Sequence, residues 1–393
     1  MTTVQRASEG RASQRRAFLK NVAAAASCAT TASVLGTWPI RAGAQSATPE
    51  RQFNPQPGAW RSFEVKTRVD VQLAEGQTRV WLPVPSIDSD WQRSLDNRWD
   101  SNGRVTLSKD VAQGGVPATQ WLTVEFAPGE KTPWVELTSR VQTRSRAVDW
   151  SAKSSQTQDK DLAFWTRPTA LLPTDGIVRE TALKATQGAK TDYEKVRAVY
   201  DWVVTNAYRE PKVRGCGEGD IKTMLETGNL GGKCADINAL FVGLCRAVGL
   251  PARDVYGLRL APSAFGYKEL GGNNMGNLSG AQHCRAEVYL KDHGWVAMDP
   301  ADVAKVMRQE TPEWIKTTHN PLVAPVNKAL FGQWEGNWVG WNMAHDLQLP
   351  GAQRGPLGFL MYPVCETGKP GQIERLDSYT PDAFKYHITA REI

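Results

Sequence analysis

The residue best placed for covalent chemistry is Cys234, which follows the glycine pair Gly231-Gly232 and then Lys233. Apolar residues recur after it at helical spacing: Ile237, Leu240, Phe241, Leu244 and Val248. This period predicts that Cys234 lies in the first turn of a helix. Backbone N–H groups there lack intrahelical acceptors, and the helix dipole is positive. Both favour the thiolate, so the sequence predicts a thiol nucleophile.

A thiol nucleophile needs a base, and His283 heads the strand-like segment "HCRAEVYL". Asp299 ends the next one, "GWVAMDP", and the short turn "KDHG" joins the two. An antiparallel hairpin would bring His283 and Asp299 together at its open end. A carboxylate there can orient the imidazole and stabilise its charged form. The sequence therefore predicts a triad of Cys234, His283 and Asp299.

The order and wording of these segments resemble the transglutaminase-like superfamily. The Cys segment is "GGKCADINALFVGLCRAVGLPAR", the hairpin is "HCRAEVYLKDHGWVAMDP", and "YEKVRAVYDWVVTNAYRE" is similar to the helix that precedes the Cys. The resemblance covers about residues 190–303 and implies a papain-like core. Members often carry an aromatic residue two positions after the His, where this chain has Arg285. We expect this difference to alter the wall of the cleft.

The resemblance also implies a reaction, acyl transfer from an amide through a thioester on Cys234, without a cofactor. The oxyanion would be held by the backbone N–H of Cys234 and a side chain from upstream. Tyr208 is the first candidate for that side chain, and Trp202 and Asn229 stay open as alternatives. The implied partner is a peptide or protein substrate.

Flanking patterns predict how these elements are carried. Alternating apolar and polar residues over 58–150, broken by Gly, Pro and Asp, predict an antiparallel β-sandwich domain. The polar run 151–161 is interpreted as a linker or, alternatively, a long surface loop. Helical periods then begin a catalytic domain over 175–393, so the fold class is α+β, with a papain-like or transglutaminase-like cysteine-protease core after the sandwich.

The last part of that domain is a Trp-rich C-terminal extension. Trp334, Trp338 and Trp341 are spaced like one face of a helix. Such a stripe indicates either core packing or an aromatic wall that stacks on a substrate.

Residues 1–44 have the pattern of a twin-arginine export signal. Arg15-Arg16 precede a weakly apolar run rich in Ala, and Ala42 and Ala44 supply a small-residue cleavage site. We expect export to the periplasm, with an uncleaved anchor as the alternative. No other stretch is apolar over 18 residues, so we expect no membrane span after the signal is removed.

The charge distribution argues against a nucleic-acid partner. The chain carries a net charge of +6. Residues 1–44 hold six basic side chains against Glu9 alone, so the remainder is close to neutral. A near-neutral protein lacks the basic surface that binds a phosphate backbone.

Five cysteines follow residue 44, and an odd number leaves at least one unpaired thiol in an oxidising compartment. Cys216 with Cys284 and Cys245 with Cys365 are possible bridges, and the sequence does not choose between these and buried reduced thiols. A zinc site from Cys216, Cys234, His283 and Cys284 is disfavoured because no Cys-x-x-Cys spacing is present. We therefore expect no metal.

These features favour a cysteine hydrolase that cleaves peptide or isopeptide amides in the cell envelope. Transfer of the acyl group to an amine, as in a true transglutaminase, is the second hypothesis. A non-catalytic binding or scaffold protein is the third, motivated by Arg285 and the Trp-rich extension.

Overall fold

A computed structural model of the chain describes residues 51–110, 119–153 and 161–393. The predicted signal at 1–44 and most of the polar run 151–161 lie outside these ranges. None of the described helices is long and apolar enough to span a membrane.

The described residues form seventeen strands. In chain order they are β1 (Arg61–Val71), β2 (Gln77–Val84), β3 (Gln92–Ser101), β4 (Arg104–Lys109), β5 (Gln120–Phe126), β6 (Trp134–Thr143), β7 (Arg146–Ala147), β8 (Tyr208–Arg209), β9 (Gly231–Gly232), β10 (Ala252–Arg259), β11 (Gln282–Leu290), β12 (Gly294–Met298), β13 (Gln333–Trp334), β14 (Trp338–Asn342), β15 (Val364–Lys369), β16 (Gln372–Leu376) and β17 (Phe384–Glu392).

Six α-helices lie among them. They are α1 (Gly176–Ala185), α2 (Asp192–Asn206), α3 (Ile221–Thr227), α4 (Cys234–Ala247), α5 (Pro300–Gln309) and α6 (Ala324–Ala329). Short 3₁₀ turns occur at Leu162–Thr166 and Lys268–Leu270.

Two antiparallel sheets form the sandwich. One has the order β17-β1-β6-β3, and the other has the order β16-β15-β2-β5-β4. Alternate residues of β1 are buried, as the period-two pattern predicts. Apolar side chains from both sheets, such as Val69 of β1 and Leu122 of β5, fill the space between them. The predicted antiparallel sandwich is therefore present.

The last strands of both sheets come from the C-terminal segment, not from residues 58–150. Strand β17 pairs with β1 along its length, from Phe63 opposite Glu392 to Val71 opposite Phe384. Strand β15 joins the second sheet beside β2. The sandwich thus uses both ends of the described chain, and the helical part lies between them in sequence.

The second core consists of helices packed on a four-stranded antiparallel sheet of order β12-β11-β10-β14. Helix α4 lies against β10 and β11 and is itself covered by α1, α2 and α5. All fourteen residues of α4 are buried. Helix α2 begins with the predicted capping box, in which Thr191 and Glu194 each accept a hydrogen bond from the other's backbone N–H.

The predicted helical stripe of tryptophans is wrong. Trp334 lies on β13, and Trp338 and Trp341 lie on β14. Positions three apart on a strand face opposite ways, and Trp338 and Trp341 accordingly enter different apolar clusters. All three side chains are buried, so they belong to the core and not to an exposed wall.

Phe384 tests whether the C-terminal strand stabilises the sandwich. Its side chain is buried between the sheets, so we expect Phe384→Ala to lower the free energy of unfolding by about 3–5 kcal/mol, measured by urea denaturation. Lys385→Ala, an exposed neighbour on the same strand, should change it by less than about 0.5 kcal/mol. Equal effects of the two substitutions would contradict the pairing of β17 with β1.

Candidate active site

The start of α4 is fixed by one buried carboxylate, that of Asp236. It accepts hydrogen bonds from the backbone N–H of Lys233 at 2.8 Å and from those of Glu218 and Gly219 at 2.9 Å each. These bonds cap the helix and hold the preceding loop across its first turn. The glycine before Lys233 is required by this packing, because a Cβ on Gly232 would lie 2.5 Å from the Cβ of Asp236.

Cys234 is the first residue of α4, as the sequence predicts. The next residue, Ala235, donates its N–H to the carbonyl of Cys216 at 2.9 Å, which brings Cys216 alongside the helix start. The backbone N–H of Cys234 has no acceptor among the residues that the structure describes. An unpaired donor at this point is suited to an oxyanion.

His283 and Asp299 meet at the open end of the β11–β12 hairpin. The strands pair from Ala286 opposite Met298 to Leu290 opposite Gly294, and Asp299 follows directly. The Nε2 of His283 lies 2.7 Å from Oδ2 of Asp299, a short hydrogen bond of the charge-assisted kind. The hairpin predicted from "KDHG" therefore positions this pair as expected.

The other carboxylate oxygen of Asp299 connects the hairpin to two helices. It accepts from Nδ2 of Asn238 on α4 at 3.2 Å and from the N–H of Asp302 at 3.1 Å, where it caps α5. Asn238 also donates to the carbonyl of Cys284 at 2.8 Å. Asn238 thereby fixes the helix that carries the thiol relative to the strand that carries the imidazole. Its helical position among apolar residues gave no sign of this role.

Cys234 and His283 line the same cavity, which has a volume of about 350 Å³. Burial alone would raise the pKa of Cys234, but hydrogen bonds with Cys216, Cys284 and His283 and the charge of His283 hold that pKa well below its usual value. The pKa values of Cys216 and Cys284 are raised, Cys216 through its contact with Cys234 and burial, Cys284 chiefly through burial. The thiolate is therefore favoured on Cys234 alone among the three.

The imidazole is tuned in the matching direction. Burial and Arg259 lower the pKa of His283, yet Asp302 and Asp299 outweigh them and raise it above its ordinary value. Asp302 was not singled out from the sequence. Its Oδ2 lies 3.5 Å from Nε2 of His283, and its other oxygen pairs with Arg259. A thiolate beside an imidazolium is thus the arrangement that the charges favour.

Arg285 does not line this cavity, contrary to the expectation that it alters the cleft wall. Its side chain is buried, its Nε lies 3.6 Å from Oδ2 of Asp299, and it donates to the carbonyl of Glu335 at 3.0 Å. Burial lowers its pKa to about 10. The guanidinium also stacks over Trp338. Arg285 therefore supports the triad carboxylate from behind.

The residues predicted for the oxyanion lie outside the cavity lining. The hydroxyl of Tyr208 donates to Oδ1 of Asn229 at 3.2 Å, and neither side chain borders the cavity, nor does Trp202. Gln282 does border it, and its Nε2 is buried without a hydrogen-bond acceptor. Gln282 was missed because a glutamine beside a catalytic histidine has no distinctive sequence pattern.

All five described cysteines are unpaired, so neither possible bridge, Cys216 with Cys284 or Cys245 with Cys365, is formed. Cys245 and Cys365 are buried, and burial raises their pKa values. In the described residues the side chains close enough to share an ion are His283, Asp299 and Asp302, not the cysteine set considered for zinc. Arg259 and Arg285 already compensate these carboxylates, which makes the cluster an ion-pair network.

Comparison with known proteins agrees with this geometry. Residues 179–300 match the family model described as the transglutaminase-like superfamily. An uncharacterised protein of Haemophilus influenzae strain Rd is 33% identical over 337 residues, which is 81% of this chain and 88% of that protein. The uncharacterised protein YebA of Bacillus subtilis strain 168 is 31% identical over 131 residues, 31% of this chain and 17% of YebA.

A solved structure from Cytophaga hutchinsonii, provisionally assigned as a cysteine protease, has a TM-score of 0.53 at 15% identity. It covers 86% of this chain and 92% of its own. At that identity the match shows the fold, a papain-like core with an antiparallel β-rich region. The chain belongs to the transglutaminase-like superfamily, and the predicted fold class is confirmed.

The pKa shift of Cys234 gives a testable pH dependence. A thiol whose pKa is lowered stays ionised as the pH falls, so alkylation of Cys234 by iodoacetamide should slow little between pH 8 and pH 6. In His283→Ala the rate should fall about tenfold per pH unit below roughly 8.5, as for an ordinary thiol. Peptide mass spectrometry would measure labelling at this site.

His387→Ala, which removes an exposed histidine on β17, is the matched control and should behave as the unaltered protein. If the unaltered protein already shows the steep pH dependence of an ordinary thiol, Cys234 is not activated.

Proposed function

We propose that this chain is an exported thiol hydrolase that cleaves peptide or isopeptide amides in the cell envelope. The observation that carries the proposal is the cavity at the start of α4, which holds Cys234 and His283 with Asp299 bonded to the imidazole at 2.7 Å. Membership of the superfamily supports enzyme chemistry of this general kind. The export pattern at 1–44 supports a site of action outside the cytoplasm.

In the proposed reaction the thiolate of Cys234 attacks the amide carbonyl carbon. His283, as imidazolium, gives its proton to the leaving amine as the C–N bond breaks, which leaves a thioester on Cys234. Neutral His283 then takes a proton from water as the water attacks the thioester. The carboxylic acid leaves, and the thiolate and imidazolium are restored. Asp299 keeps Nε2 engaged throughout, so the other ring nitrogen faces the reacting groups.

The oxyanion formed in each step would be held by the backbone N–H of Cys234, which has no acceptor among the described residues. Gln282 Nε2 supports a second donor from the same cavity. Tyr208 remains the alternative from the sequence, and a contribution from it would require its hydroxyl to leave Asn229.

The scaffold hypothesis loses its two motives in the folded chain. Arg285 packs behind Asp299, and the tryptophans of the C-terminal extension are buried in the core. Both features are thereby accounted for by stability and positioning, without a loss of catalysis.

Removal of the triad groups should abolish amide cleavage. On a mixed peptide library, followed by the appearance of new amino termini, we expect Cys234→Ser to be inactive and His283→Ala to lose about 10²–10⁴-fold in kcat. Asp299→Asn should lower kcat with little change in KM, because it acts through the imidazole. His387→Ala should retain full activity, and circular dichroism should show that each variant is folded. Unchanged cleavage in Cys234→Ser would overturn the proposal.

Water and amines compete for the thioester, and their competition separates hydrolysis from transglutamination. With a glutamine-containing peptide and a fluorescent primary amine, we expect cleavage or deamidation without incorporation of the amine. Incorporation that exceeds hydrolysis at millimolar amine would assign the chain to the amine-transfer reaction instead.

The two oxyanion candidates give different outcomes in the same assay. We expect Gln282→Ala to lower kcat by about 10²–10³-fold, as loss of one oxyanion donor does, while Tyr208→Phe changes kcat little. The reverse result would restore Tyr208 to the role that the sequence suggested.

A further inference from the structure

We propose that the cleft binds substrates that carry a carboxylate beside the scissile amide, and that Arg209 and Lys233 hold this carboxylate. The inference rests on the proposed function and names its substrate class. The experiment below separates the failure of one from the failure of the other.

The cavity beside Cys234 has a strong excess of positive charge. Its lining includes four permanently basic side chains, those of Arg209, Lys233, Arg259 and Lys305, against the single carboxylate of Asp302. The rest of the lining is formed by neutral residues, apart from His283. This excess is local, because the chain beyond residue 44 is close to neutral overall.

Two of the four cations are already compensated. Arg259 pairs with Asp302 and also donates to the carbonyl of Leu270. Lys305 lies 3.3 Å from a carboxylate oxygen of Glu269 and donates to the carbonyl of the same residue at 2.8 Å. These two side chains therefore serve the internal network, and their charge is not free for a ligand.

The other two cations have no such compensation. Arg209 donates from Nε to the neutral side chain of Gln309 at 2.9 Å. Within the described ranges, neither Arg209 nor Lys233 forms an ion pair with a carboxylate. Both side chains are half-buried in the cavity wall, so their charge faces the space that a substrate would occupy.

Their position is set by the backbone. Strands β8 and β9 pair in parallel with Arg209 opposite Gly232, which places Arg209 beside the residue that precedes Cys234. Burial lowers the pKa of Lys233, and the like charge of Arg209 lowers it further. An anion between the two side chains would relieve this repulsion. The N-terminus of α4 would add to the attraction.

A carboxylate suits these groups better than a neutral amide does. A guanidinium offers paired donors that match the two oxygens of a carboxylate, and an ammonium adds a point charge. Because Lys233 adjoins the nucleophile in sequence, the bound carboxylate would lie within one residue of the amide that is cleaved. Acidic side chains or a free C-terminus next to the scissile bond both meet this description.

The test uses two alkylating agents that differ in charge, iodoacetate and iodoacetamide, on the full chain. The ratio of their rates at Cys234, measured by peptide mass spectrometry, reports an anion site without a known substrate. We expect Arg209→Gln and Lys233→Gln each to lower the iodoacetate-to-iodoacetamide ratio on the order of fivefold at low salt, and 0.5 M NaCl to remove most of the difference.

Two further variants serve as controls. Arg209→Lys keeps the charge and should keep most of the ratio. Lys222→Gln removes an equal charge from an exposed site on α3, where Lys222 lies 3.7 Å from Glu226, and should leave the ratio unchanged.

The outcomes distinguish the two proposals. An unchanged ratio in Arg209→Gln and Lys233→Gln, with rapid labelling of Cys234 at pH 6, would overturn the anion site and leave the hydrolase intact. Slow labelling by both reagents at pH 6 would contradict the activated thiol, and the ratio measured at pH 8 would still decide the anion site. Free C-termini and acidic side chains are then told apart by peptides that end in a carboxylate or an amide.

Discussion

The structure around the thiol depends on one buried carboxylate, that of Asp299. Its Oδ2 binds His283, and its Oδ1 binds Asn238 on α4 and caps α5 through the N–H of Asp302. The same group thus links a hairpin with two helices. A carboxylate removed from water is costly unless its lone pairs are satisfied, and here each oxygen has protein partners. The distance between thiol and imidazole follows from that satisfaction.

The surrounding charges form a network that compensates itself. Asp299 and Asp302 approach the imidazole from one side, while Arg285 and Arg259 approach the two carboxylates. Burial and the neighbouring Asp302 raise the pKa of Asp299, which shows that its ionised form depends on the cations near it. Removal of one member of such a network leaves an uncompensated buried charge. Positioning and stability are therefore hard to separate in this region.

Local patterns were sufficient for much of this arrangement. The helix start at Cys234, the capping box of α2 and the hairpin that joins His283 to Asp299 each depend on residues within a few positions of one another. Alternation predicted β1 because one of its faces is buried along its whole length. The edge strand β3 was missed because most of its side chains are half-buried or exposed, so it shows no period.

Features that depend on distant residues were not predictable in the same way. Asp302 and Gln282 acquire their positions from the tertiary fold, and Arg285 turns inward because tryptophans far along the chain pack over it. The spacing of those tryptophans fits a helix and a bent strand equally well, and only the pairing of β14 with β10 decides between them. The same limitation applies to the C-terminal strands of the sandwich.

The pairing of β17 with β1 has a consequence for how the molecule is made. Strand β1 is flanked by β6 on one side and by β17 on the other. Until the last nine-residue strand has been synthesised, β1 is an open edge with unpaired backbone groups, the kind of surface on which strands of other molecules add. Contacts between the two ends of a chain also form slowly. The ribosome therefore releases a chain whose aggregation-prone edge is closed only at the end of translation.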